Sequence, residues 1–87
     1  MVTIGDRVGA IQKADDDNVY LFGYGTYQGE SVPPKNIGGF NLGIPNPEIK
    51  LDSGISVFGC ECWWGPEAKV KEMVGGRIII KVHPKRV

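Results

Sequence analysis

Residues 19–27, Val-Tyr-Leu-Phe-Gly-Tyr-Gly-Thr-Tyr, carry the clearest signal for a β-strand in this chain. β-Branched and aromatic residues dominate it, which is the composition of a strand in a pleated sheet. Gly23 and Gly25 interrupt the run, and a glycine inside a strand is typical of a bulge or a sharp bend. Bends of this kind let short strands curl into closed barrels. The segment therefore predicts a bent strand in a small, mainly β domain.

Strand-like runs on both sides of this segment supply its partners. A polar turn at Ala14–Asn18, whose Asp and Asn side chains can bond their own backbone, connects it to an earlier strand and predicts a hairpin. The clearest hairpin of the chain has alternating apolar residues on either side of an Asp-Ser-Gly turn. The remaining predicted strands are Arg7–Ile11, Glu48–Leu51, Ile55–Phe58 and Arg77–Val82.

One short helix is predicted between Gly65 and Gly76. Pro66 suits the first helical position, Glu67 lies favourably at the positive end of the helix dipole, and Gly75 can adopt the left-handed conformation past the end. Three apolar residues spaced three and four apart share one face of this helix. We expect them to pack against the core: Val70, Met73 and Val74.

Five strands with a short helix before the last one resemble the SH3-like small barrel. The resemblance is one of element order, extends over nearly the whole chain, and implies a mainly β, SH3-like five-stranded barrel with residues 1–87 forming a single domain. A partly open barrel or an α+β roll fits the same order. Residues 28–47 hold four of the six prolines and predict a long loop. Loops of this length are often functional, although a simple connector is equally compatible.

Length and charge narrow the possible partners. A chain of 87 residues is near the lower size for a self-sufficient core, so a homodimer is expected. No apolar run approaches the roughly 20 residues of a membrane helix, and the start of the chain lacks the pattern of a secretory signal, which predicts cytoplasmic residence. Ten basic and ten acidic residues give zero net charge, which argues against nucleic-acid binding, although the last strand is basic.

Cys60 and Cys62 do not predict a metal site or a catalytic centre. Structural zinc takes four ligands, and His83 is the only histidine available to complete such a site. A cysteine nucleophile would also need His83 as its base, and no catalytic cysteine motif surrounds either residue. We therefore expect no metal, no cofactor and no enzymatic activity, with the cysteines packing as small hydrophobic residues.

The two adjacent tryptophans, Trp63 and Trp64, cannot both face the core, because neighbours in a strand point to opposite faces. One of them should be at least half exposed, and exposed aromatic surface is typical of an interface or a stacking platform for a planar ligand. If the fourth strand continues through this region, Cys60 and Cys62 share one face. Glu61 then lies on the other face with Trp63, free to accept hydrogen bonds from an amine, a ribose hydroxyl or an arginine.

These features together predict a site for a nucleotide-like small molecule. The N-terminal end of the helix adds backbone N–H groups that favour anions. The same features also describe a protein-protein interface. The residues predicted to bind the ligand are Glu61, Trp63, Trp64, Tyr24 and Arg77.

A second resemblance rests on the segments Gly5–Ala10, Tyr20–Gly25 and Gly59–Glu67. Together they look like segments of small proteins encoded by phages and bacterial genomes. The resemblance implies a protein that acts by binding, either by blocking a host protein or by sequestering a nucleotide immune messenger, as anti-Thoeris and anti-CBASS sponges do. The expected function is therefore a non-enzymatic binding module with a phage anti-defence role. The alternative is a protein-protein interaction domain that inhibits a host protein.

Overall fold

The computed structural model describes residues 2–35, 37 and 43–86. The elements are β1 (Arg7–Ala14), β2 (Asn18–Ser31), β3 (Asn46–Leu51), β4 (Ser56–Phe58), β5 (Trp63–Pro66), α1 (Glu67–Val74) and β6 (Ile78–Lys81). The strands form one six-stranded sheet with the order β4-β3-β2-β1-β5, and β6 pairs with β2 outside this order. All pairings are antiparallel except that of β6 with β2.

These elements confirm the prediction of a mainly β fold with one short helix before the last strand. Within the described residues, no helix has the length and apolar character needed to cross a membrane.

The long strand β2 organises the sheet. Of its 14 residues, those between Val19 and Thr26 pair with β1 along one edge. On the other edge, the first residues of β2 pair with β6 and its later residues pair with β3. Three of the other strands therefore take their position directly from the segment around residues 19–27.

A bulge at Gly23 bends β2, as the sequence predicts. Ala10 pairs with Gly23 and Ile11 with Leu21, which leaves Phe22 as the extra residue. Gly23 has a φ of 144°, a conformation that favours glycine. Phe22 and Tyr24 consequently pack on opposite faces of the sheet, although they are only two residues apart.

Each face of the sheet carries its own apolar cluster. The first cluster consists of Val8, Ala10, Phe22, Ile49, Leu51 and Val57. The second lies under α1 and consists of Ile11, Val19, Leu21, Val70 and Val74. The helix approaches closely at Gly9, where an added Cβ would lie 3.0 Å from the Cβ of Val70.

The helix agrees with its sequence signals. Pro66 immediately precedes the first helical residue, and Gly75 follows the last one with a φ of 51°. Val70 and Val74 are buried, whereas Met73 is only partly buried at the margin of the cluster.

The closed five-stranded barrel is not confirmed. Strands β4 and β5 lie at the two ends of the order, and they do not pair with each other in the described part of the chain, so the sheet is not closed. The predicted fourth strand is also interrupted, because the N–H of Glu61 donates to the carbonyl of Phe58 at 2.8 Å and forms a turn. This turn separates β4 from β5 and makes six strands. It also removes the period-two arrangement expected for Cys60, Glu61 and Cys62.

The predicted loop at 28–47 is shorter than expected. Strand β2 continues to Ser31, and β3 begins at Asn46. Ile37 is buried and forms an isolated bridge with Arg86 near the end of the chain. The alternation of Phe40, Leu42 and Ile44 in the sequence also favours a short edge strand or a segment folded over the core, but residues 36 and 38–42 lie outside the described residues.

Candidate binding surface around Trp63

The two tryptophans of β5 lie on opposite faces of the sheet. Pairing with β1 places Trp63 beside Ile11 and Trp64 beside Ala10. Trp64 is half-buried and stacks on Tyr27, with ring centroids 5.1 Å apart and an interplanar angle of 9°. Trp63 is 48% exposed on the face covered by α1. The alternation expected for neighbouring strand residues is therefore present, and it gives the two rings different environments.

An open groove of about 260 Å³ lies between Trp63 and the outer side of α1. The ring of Trp63 lies against Gly65, where an added Cβ would be 3.4 Å from a ring carbon. This contact holds the ring against the strand and leaves part of its surface open to solvent. The groove is lined by Trp63, Lys69, Glu72 and Met73.

This groove combines a π surface with one cation, one anion and a flexible thioether. Such a set can stack a planar group, attract a phosphate or carboxylate, and accept a hydrogen bond from an amine. Sequence reasoning did not place Lys69 and Glu72 in the site, and it assigned Met73 to the core alone. Their spacing of three and four residues puts them on one side of a helix, but only the packing of α1 beside β5 brings that side to Trp63.

Glu61 is engaged by the protein itself. Its carboxylate accepts hydrogen bonds from the backbone N–H of Phe58 at 3.0 Å and from Nη1 of Arg86 at 2.7 Å. The Glu61 side chain is only 8% exposed. Of the partners considered for this acid, the structure supplies an arginine from the same chain. This ion pair stabilises the turn that precedes β5 and so positions both tryptophans.

Tyr24 and Arg77 also contact their own chain. Tyr24 lies on the helix side of the sheet, where Lys71 Nζ is 5.5 Å from its ring centroid, and burial raises the pKa of its hydroxyl. Arg77 Nη1 donates to the backbone carbonyl of Met73 at the end of α1. The five residues predicted for one site are thus distributed around the sheet, and Trp63 is the one found in the groove.

An ion-pair cluster occupies the N-terminal end of α1. The guanidinium of Arg7 donates to Asp52 at 2.7 and 2.8 Å and to Glu67 at 3.1 Å. Hydrogen bonding to Arg7 lowers the pKa of Asp52. Arg7 is therefore already paired with two carboxylates, and among the residues that line the groove the cation is Lys69.

The two cysteines have different environments. Cys60 is exposed, whereas Cys62 is half-buried, packs against the first apolar cluster and lies with its Sγ 3.4 Å from the carbonyl oxygen of Phe58. Burial, followed by the nearby Glu61, raises the pKa of Cys62 to about 12. No group of three or more His, Cys, Asp or Glu side chains within the described ranges is arranged to hold a metal ion.

Alkylation should distinguish the two thiols. At pH 8 in the folded protein, we expect Cys60 to react at least about tenfold faster than Cys62, because the thiolate is the reactive form and Cys62 stays protonated. Mass spectrometry of iodoacetamide-treated samples should show one rapid addition. Cys60→Ser should abolish that addition, and Cys62→Ser should retain it. Equal rates at both positions in the folded protein would contradict the assigned environments.

The chain has no significant match to any protein-family model, to any curated protein or to any solved structure.

Proposed function

We propose that this protein is a non-enzymatic binding module that holds a nucleotide-like planar molecule against Trp63. The observation that carries the proposal is the position of this ring: it is 48% exposed, held against the backbone of β5, and borders a groove with charged side chains. Stacking of a base on an aromatic side chain contributes about 1–3 kcal/mol.

Each neighbour of Trp63 has a role in this proposal. Lys69 attracts the phosphate, Glu72 accepts a hydrogen bond from an exocyclic amine of the base, and Met73 packs against the ring edge. Glu61 and Trp64 support the site by fixing β5, since both are held by contacts within the protein. Of the five residues predicted from the sequence, Trp63 is the one retained as a proposed ligand contact. The other proposed contacts come from the adjacent side of α1.

The biological role that we propose for this binding is phage anti-defence. A small, cytoplasmic protein that binds a nucleotide messenger without converting it would lower the free concentration of that messenger. The support comes from the groove at Trp63 and from the resemblance of the three segments described above. Self-association, which the chain length favours, would bring two grooves into one particle.

Calorimetric titration of the purified protein with adenine and guanine mononucleotides and cyclic dinucleotides tests the proposal. We expect at least one of them to bind with a dissociation constant below about 100 µM, and Trp63→Ala to weaken it at least about tenfold. Ile55→Ala, a change at an exposed apolar residue outside the groove, is the matched control and should bind normally. If no member of the panel binds below about 1 mM, or if Trp63→Ala binds as tightly as the wild type, the proposal is wrong.

The second candidate function is a protein-protein interaction domain that inhibits a host protein through the same surface. It is favoured by the apolar surface at the groove itself, where Trp63 is 48% exposed beside the partly buried Met73. A stable complex with one host protein, lost on Trp63→Ala and containing no small molecule, would identify this function instead.

A further inference from the structure

The three outer strands of the sheet differ in how their free edges are protected. The guanidinium of Arg86 covers the edge of β4 by donating to the carbonyl of Ser56. Strand β5 ends at Pro66, which has no N–H to offer. Within residues 2–35, 37 and 43–86, strand β6 pairs only with β2, and its second edge has no strand partner.

The hydrogen bonds of β6 show which backbone groups lie on that second edge. Ile78 N–H donates to the carbonyl of Asp17 at 2.8 Å, and Val82 N–H donates to that of Leu21 at 3.0 Å. In a parallel pair, the N–H and C=O groups of alternate residues point to the same side. The backbone N–H and C=O groups of Ile79 and Lys81 therefore point away from β2.

The side chains of β6 lack the usual protection of a free edge. Ile78 is 64% exposed and Ile79 is 52% exposed, so apolar surface extends over both faces of the strand. Sheet edges that stay unpaired normally carry a proline, a bulge or several charges. Three consecutive isoleucines have the opposite character, because β-branched residues favour strand pairing.

We propose that β6 pairs antiparallel with β6 of a second copy of this chain, around a two-fold axis at Ile80. Ile79 of each copy then lies opposite Lys81 of the other copy, and their outward backbone groups form four hydrogen bonds. This inference goes beyond the proposed ligand binding and does not depend on it.

Charge favours this occupant and this register. Pairing centred on Ile79 would place Arg77 directly opposite Lys81 of the second copy, and like charges in that position are destabilising. Pairing centred on Ile80 avoids this contact. It also brings Lys85 of the second copy towards the acidic turn at residues 15–17, which is tied to the start of β6 through Asp17.

That acidic end has room for a basic side chain. An open cavity of about 610 Å³ lies there, and its walls come from the acidic turn and from the start of β6. The residues that line it are Asp16, Asp17, Asn18, Gly76, Arg77 and Ile78. A second copy carries the same acidic turn and the same Lys85, so each copy can place its lysine beside the acidic turn of the other.

Sedimentation velocity of the full chain, with Ile79→Pro as the variant, tests the interface. The proline removes only an outward N–H and leaves the bonds to β2 in place. We expect a dimer at about 100 µM for the wild type and at least about a tenfold higher dissociation constant for Ile79→Pro. Ile55→Lys, a change at an exposed isoleucine outside β6, should remain dimeric. A monomeric wild type, or a folded Ile79→Pro protein that dimerises normally, would overturn the proposal.

Disulfide crosslinking tests the register without relying on a proline. In the Cys60→Ser, Cys62→Ser background, Ile80→Cys places two thiols at a non-hydrogen-bonded pair with Cα atoms about 4.5 Å apart, within disulfide reach. Oxidation by diamide should give a covalent dimer. Ile78→Cys should not, because it lies opposite Val82 and about 13 Å from its own copy. Crosslinking through Ile78 instead of Ile80, or through neither, would contradict the register.

Discussion

Gly25→Ala is expected to prevent stable folding. An added Cβ at this position would lie 2.0 Å from the backbone oxygen of Lys50 and 2.7 Å from the Cα of Leu51. Both atoms belong to the backbone of β3, which pairs with β2 at this point. Since no side-chain rotation can relieve such contacts, the two strands would have to separate. We expect a loss of at least about 3 kcal/mol, a large fraction of the stability of a small domain.

Urea denaturation followed by circular dichroism measures this effect. Gly76→Ala is the matched control, because an added Cβ there meets nothing within 4 Å and the φ of Gly76 is not in the left-handed region. We expect the control to change stability by about 0.5 kcal/mol or less. A Gly25→Ala protein that unfolds at the same urea concentration as Gly76→Ala would show that β3 does not approach β2 as described.

Trp64→Ala should destabilise the protein by about 3 kcal/mol, because it removes a large half-buried ring from the first apolar cluster together with its stacking on Tyr27. Trp63→Ala should cost less, about 1–2 kcal/mol, since about half of that side chain is already exposed.

Chemical denaturation of the two variants beside the wild type makes this comparison. A larger loss for Trp63→Ala than for Trp64→Ala would reverse the assignment of the two faces. The same pair of proteins then separates stability from binding, because Trp63→Ala should stay folded while it loses the ligand.

The sequence predicts the features of the fold that depend on neighbouring residues. The bulge at Gly23 and the helix between Pro66 and Gly75 follow from local backbone preferences, and the structure contains both. The break after Phe58 is only partly local. Its turn is formed by hydrogen bonds between Phe58 and Glu61, and the Glu61 carboxylate is also held by Arg86, which lies 25 residues further along the chain. The parallel pairing of β6 with β2 is non-local.

In the candidate site, too, some features follow from neighbouring residues and others depend on contacts between distant parts of the chain. Alternation along a strand predicts that Trp63 and Trp64 have different exposures, and this agrees with the structure. The companions of Trp63 follow from the position of α1 beside β5, which no local pattern specifies. Gly25 illustrates the same point, because the sequence indicates a bend there, whereas the structure shows a close approach of β3 that excludes any side chain.

Native mass spectrometry tests the proposed binding function most directly. The wild type and Trp63→Ala would each be mixed with the same adenine and guanine mononucleotides and cyclic dinucleotides at about 100 µM, and the masses of the intact complexes would be compared. We expect the wild type to carry a bound nucleotide that Trp63→Ala does not retain. A wild-type protein that carries no nucleotide, or the same nucleotide bound equally to both proteins, would contradict the proposed function.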